Sequence, residues 1–136
     1  MKHRRTRIKD WTIRFLFSFD RQDAGRIRSA LVWADAPDSV ISMVMENVRA
    51  GRRDEGFTFS KPSLRRSVVG VGLVSSGPEF LNSAVHEITH VGQHIADADG
   101  IDPLSEDFAY LIGDITNELA DIVCNESCPH CNSRKV

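Results

Sequence analysis

Two long stretches of helical apolar periodicity stand next to each other in the second half of the chain, and they narrow its possible folds more than any other feature. In "SGPEFLNSAVHEITHVGQHIADADG", Phe80, Leu81, Ala84, Val85, Ile88, Val91 and Ile95 recur at three- and four-residue steps, the period of a helix with one buried face. Ser76 and Glu79 stand in capping-box spacing at its start, and Gly100 closes it. "DPLSEDFAYLIGDITNELADIVC" follows at once, with Asp102 as the expected cap, Pro103 at the first helical position and Phe108, Leu111, Ile112, Ile115, Leu119 and Ile122 as its apolar stripe. Two such helices need an apolar surface to cover, and the first half of the chain offers one.

"WTIRFLFSF" alternates, with Trp11, Ile13, Phe15, Phe17 and Phe19 on one face of a half-buried strand. "DRQDAG" reads as a turn and "RIRSALVW" as a returning strand. "APDSVISMVMENVRAG" reads as a helix with Pro37 in its first turn, Val40, Ile41, Val44, Met45 and Val48 as its stripe, and Gly51 at its end. "FTF" and "SVVGVGLV" predict a second strand pair around "SKPSLRR". The outline β-β-α-β-β-α-α predicts an α+β fold, a small antiparallel or mixed sheet with about three helices packed on it. At 136 residues the chain reads as a single domain, 1–136. Residues 1–10 read as a basic N-terminal tail, and 124–136 as a C-terminal tail rich in Cys and His.

A net charge of −2 conceals a sharp asymmetry. Residues 1–66 hold 15 Lys and Arg against 8 Asp and Glu, whereas 67–133 hold 11 Asp and Glu and no Lys or Arg. The acidic half attracts cations and repels nucleic acid. The basic start reads as a solvated tail, so nucleic acid is not the expected partner, and binding it through this start and the cysteine tail is the weaker alternative. No apolar run is long enough to cross a bilayer, and "MKHRRTRIKDW" lacks the apolar stretch and small-residue cleavage site expected of a secretory signal. The expected location is therefore cytoplasmic, with no membrane partner. The odd cluster Cys124, Cys128 and Cys131 agrees, since it suggests a metal or thiols more than a disulfide framework.

The chemistry is concentrated in "AVHEITHVGQHIA". On a helical wheel His86, His90 and His94 fall within an arc of about 80°, with Glu87 at its edge. "HEITH" has the H-E-x-x-H spacing. Residues four apart stack one turn up a helix, so two imidazoles can grip one ion. The adjacent glutamate then stands near the ion without ligating it, placed to take a proton from a bound water and pass it to a leaving amine. The bland alternative is a polar helix face with scattered histidines. The acidic surround and the β-rich segment ahead weigh against it. His94 lies about 12 Å along the axis from His86, out of reach of the same ion, and reads as a cleft residue. On the next helix Glu106, Tyr110 and Asp114 stack at four-residue steps opposite the apolar stripe. A small-residue stripe of Ala109, Gly113, Thr116 and Ala120 would allow close helix approach, so Glu106 is the candidate third ligand. Asp102, Asp107 and Asp114 are the alternatives.

"VHEITHVGQHIADADGID…SEDFAYLIGDIT" resembles a group of small phage and prophage proteins that look like minimal zincin, or gluzincin, metallopeptidases. The similarity covers roughly residues 66–124. It implies a zincin-like active-site helix, with His86, His90 and Glu106 as ligands of one Zn²⁺ and Glu87 as general base. The expected function is a zinc-dependent metallopeptidase acting on a peptide or protein, with Tyr110 or His94 stabilising the oxyanion. The strand at Ser67–Val74 is expected to pair with an extended substrate at the sheet edge. The alternative is a non-catalytic module in which the same ion staples two helices. A homo-oligomer is compatible with either. In the tail, Cys124, Cys128, His130 and Cys131 offer a second, structural zinc site, against the plainer reading of a helix end with reducible thiols.

Overall fold

The computed structural model describes residues 1–52 and 56–128. β2 (Trp11–Phe19) pairs on one side with β1 (Lys2–Ile8), antiparallel, and on the other with β4 (Arg66–Gly72), parallel. β3 (Phe57–Lys61) pairs antiparallel with β4, giving a four-stranded mixed sheet of order β1-β2-β4-β3. The fold is α+β, with four α-helices among the described residues.

Helices cover both faces of the sheet. α1 (Ala24–Trp33) and α2 (Asp38–Arg49) bury Ile27, Leu31, Ile41, Val44 and Met45 against Leu16, Phe19 and Val68. α3 (Gly77–Asp99) and α4 (Glu106–Ser127) bury Phe80, Ile88, Val91, Ile95, Leu111, Ile115 and Leu119 against Trp11, Ile13, Phe15, Phe17, Val69 and Val71. Each such side chain stabilises the fold by roughly 1.5–3 kcal/mol on burial. α3 starts as its caps predict: Ser76 accepts from Glu79 N, and Gly100 at φ 70 terminates it.

Several segments differ from the sequence expectation for definite reasons. "RIRSALVW" is helical, because Ile27, Ala30 and Leu31 share one face at helical spacing and Asp20 with Asp23 forms a capping box just before α1. The sheet thus carries four helices rather than three. Residues 1–10 are not a free tail, since 2–8 form β1. Thr6 and Ile8 are buried there, and Arg4 crosses to α4, donating to Glu118 O and to Asp121. The long cationic stems obscured this strand's alternation. Its turn, Lys9–Asp10, has both residues left-handed (φ 47 and 61), the twist a two-residue hairpin requires. The Arg65 guanidinium braces that turn by donating to Lys9 O and Asp10, and it also binds Asp99 at the end of α3.

Phe19 does not share a face with Phe17. Ser18 takes φ 58 and the β2–β4 register shifts there, so the extra residue turns Phe19 toward α1 and α2. β4 is interior, between β2 and β3, so it offers no free edge for a substrate; the edge strands are β1 and β3. α4 begins at Glu106 with Ser105 as its cap, because Asp102 accepts from Leu104 N and closes a separate turn first. It ends at Ser127, so Cys124 lies within the helix and Cys128 is its C-cap.

Gly70 lies under the Phe57 ring: a Cβ built there would stand 2.3 Å from Cε1 and 2.6 Å from Cζ. Gly70→Ala is expected to destabilise the protein by about 1–3 kcal/mol, read as a lower urea midpoint at unchanged slope. Gly113→Ala, where nothing lies within 4 Å, is expected to stabilise α4 by about 1 kcal/mol.

Candidate functional site

Around α3, three directions have different neighbours. Gly92 faces α4, where a Cβ would meet Ile112 and Phe108. Glu87 and His94 face β3. His86 and His90 point further round, and both are exposed. At 100° per residue, Gly92 stands roughly 120–160° from the two histidines. α4 therefore packs on a side of α3 remote from them. Glu106, exposed in the first turn of α4, does not join the pair, and neither does Tyr110, which is 66% exposed. Among the described residues, no three His, Cys, Asp or Glu side chains gather into a metal-binding group.

The two histidines themselves do converge. Their Nε2 atoms stand 3.1 Å apart, with ring centroids at 4.7 Å and planes inclined by 77°, the contact that a four-residue helical step permits. Glu87 Oε1 is 4.0 Å from His86 Nε2. Unlike the histidines, Glu87 is 6% exposed. A buried carboxylate needs a donor, and β3 supplies it: the Thr58 hydroxyl donates to Glu87 Oε2 at 2.5 Å. Gly56 closes over the same carboxylate, where a Cβ would lie 2.9 Å from both Glu87 Oε1 and Gly70 O. Only glycine lets the backbone approach this closely.

His94 belongs to a second network. Its Nδ1 is 2.7 Å from Ser60 Oγ, Ser60 Oγ is 2.7 Å from Ser67 Oγ, and Trp11 Nε1 donates to Ser67 Oγ at 2.8 Å. An indole N–H can only donate. The sense that gives every proton along this line an acceptor runs Trp11 to Ser67 to Ser60 to His94 Nδ1. That assigns the neutral ring a proton on Nε2, leaving it a donor. Burial pushes the His94 pKa below its ordinary 6.5, the nearby His90 lowers it further, and Asp97 and Glu87 oppose. Beside it lies a cavity of about 550 Å³ lined by Ser60, Pro62, Gln93, His94, Asp97 and Ile101. It opens one helical turn from His90, not over the histidine pair.

Thr58, Ser60, Ser67 and Gly56 escaped the sequence reading. The available signal was the alternation in "FTFS", which puts Thr58 and Ser60 on one face; which helix that face meets is a tertiary fact. Of the tail residues, Cys124 and Cys128 lie at the end of α4, while His130 and Cys131 lie outside the described residues. No helix among the described residues is long and apolar enough to cross a membrane. No protein-family model, curated protein or solved structure matches the chain.

Thr58→Val is expected to cost about 1.5–3 kcal/mol, because it strips a charged, buried acceptor of its donor. Glu87→Gln should cost less, since an amide oxygen still accepts. Urea midpoints of both variants and their double mutant check this. Because the folded His94 pKa is depressed, the unfolded chain takes up this proton first. The stability it contributes is complete above 6.5 and lost as pH falls through the lower folded value. His94→Asn should therefore flatten the decline of the urea midpoint on the acid side of 6.5.

Proposed function

We propose that the His86–Glu87–His90 face is the active site of a zinc-dependent hydrolase whose substrate is a peptide. The observation that carries this reading is the convergence of two Nε2 atoms beside a buried carboxylate already held by Thr58. Two nitrogens each about 2.0–2.1 Å from one tetrahedral ion stand roughly 3.3 Å apart, close to the observed 3.1 Å. His86 and His90 would hold the ion, which supplies Lewis acidity and water made acidic enough to ionise near neutral pH. Glu87 takes the proton of the attacking water and returns it to the leaving amine. Thr58 holds that carboxylate on the side facing the pair. His94, with its proton on Nε2, is a donor one turn away that can hold a substrate carbonyl. β3 is the edge strand beside α3, so an extended substrate would pair there.

A second reading has one observation in its favour. The pair is exposed and supplies two protein ligands, fewer than the three or four that zinc takes from proteins. A second copy presenting its own pair would close a four-nitrogen shell without leaving an open position for water. The metal would then be a staple between chains and not a catalyst.

His86→Ala and His90→Ala are each expected to abolish zinc uptake measured by elemental analysis of the purified protein. Glu87→Gln should keep the zinc and lower cleavage of a mixed peptide library by about 10²–10⁴-fold. Equal zinc in wild type and both histidine variants would reject the site. Zinc-dependent dimerisation by sedimentation, without cleavage, would select the staple.

A further inference from the structure

Three arginines from three neighbouring strands converge on one indole on the sheet face covered by α1 and α2. Trp33 is the last residue of α1. The guanidinium carbons of Arg5 (β1), Arg14 (β2) and Arg66 (β4) stand 5.7, 5.3 and 5.0 Å from its ring centroid. Arg66 also donates to Trp33 O at 2.8 Å, and Arg14 Nε donates to His3 Nε2 at 3.1 Å. Arg5 and Arg14 are direct cross-strand partners, an arrangement that like charges disfavour.

Among the described residues, no carboxylate stands within salt-bridge distance of Arg5, Arg14 or Arg66. Burial lowers the His3 pKa, and Arg14, Arg26 and Arg5 lower it further; burial and the neighbouring Arg5 lower that of Arg14. Cations elsewhere are treated differently: Arg4 meets Asp121, Lys61 meets Asp35, and Arg65 meets Asp10 and Asp99. A merely solvated charge run would splay its side chains apart. Here the indole gathers them, and the N–H groups not donated to Trp33 O and His3 remain for a ligand.

We propose that this arginine patch binds the phosphodiester backbone of a nucleic acid. Guanidinium forks match pairs of phosphate oxygens. Strands lie about 4.8 Å apart, so a row across three of them spans roughly 10 Å. A short run of successive phosphates on one strand covers a comparable length, within reach of the arginine stems. A single phosphate would occupy one fork and leave the others unneutralised, so the row suits a polymer. The residues acidic enough to repel that polymer, 67–133, include α3 and α4 on the opposite face of the sheet. The inference is independent of any chemistry at His86 and His90.

The test is fluorescence anisotropy with a fluorescein-labelled 20-nucleotide single-stranded DNA at 50 and 200 mM salt. Three phosphate contacts give a logarithmic salt slope near −2, so affinity should fall roughly 15-fold across that range. The double variant Arg5→Gln/Arg14→Gln keeps one contact, so its fall should shrink to roughly 2–3-fold, with weaker binding at 50 mM. Arg66→Gln should lie between the two and serves if the double variant fails to fold. Arg4→Gln, whose charge is already paired on the other sheet face, should match wild type. No binding at 50 mM salt, an unchanged salt slope in the folded Arg5, Arg14 or Arg66 variants, or capture by phosphatidylserine vesicles with none by the oligonucleotide would each overturn the proposal.

Discussion

β2 carries helices on both of its faces: Trp11, Ile13, Phe15 and Phe17 lie against α3 and α4, while Leu16 and Phe19 lie against α1 and α2. A strand buried on both faces must sit inside a sheet with helices above and below. The bulge at Ser18 lets one alternating sequence serve both layers by moving a single aromatic across the sheet. The two helix pairs are therefore kept apart by the thickness of the sheet.

Within the α3 layer, core and candidate site share a helix. Val91 and Ile95 hold α3 to the sheet, and Glu87 sits among them although it is ionisable. Thr58 and the glycine backbone at 56 make that position tolerable. The outcome is a carboxylate whose orientation is set by packing while its neighbouring imidazoles stay accessible, the combination a proton-transferring group needs. Desolvation at His94 and exposure at His86 follow from the same helix turning out of the core over two turns.

Helix existence was readable wherever apolar residues recurred at three and four, as in α2, α3 and α4. It was misread in "RIRSALVW", where Ile27, Leu31 and Val32 suit either period over so short a span. The Lys9–Asp10 hairpin carried no glycine or asparagine to announce it, because Arg65, over 50 residues away in sequence, braces the turn instead. The pairing of His86 with His90 followed from spacing alone. The expectation that Glu106 would meet them required knowing which side of α3 receives α4, and Gly92 decides that. The arginine patch was legible only as excess charge. Strand register, with Arg5 opposite Arg14, turned the excess into a cluster.

The parallel pairing of β2 with β4 also bears on the order in which the molecule assembles. β1 and β2 meet across a two-residue turn, but Thr12 finds Arg66 only after more than fifty intervening residues. Closing a loop of that length costs about 3–4 kcal/mol of chain entropy before the contacts return it. The β1–β2 hairpin is synthesised before α3 and α4, the helices that cover Trp11, Phe15 and Phe17. An uncovered ribbon of this kind is open to pairing with another like itself, and lysines and arginines such as those of β1 oppose that pairing. Charge on the first strand thus protects the nascent chain from aggregation before it has a folded protein to serve.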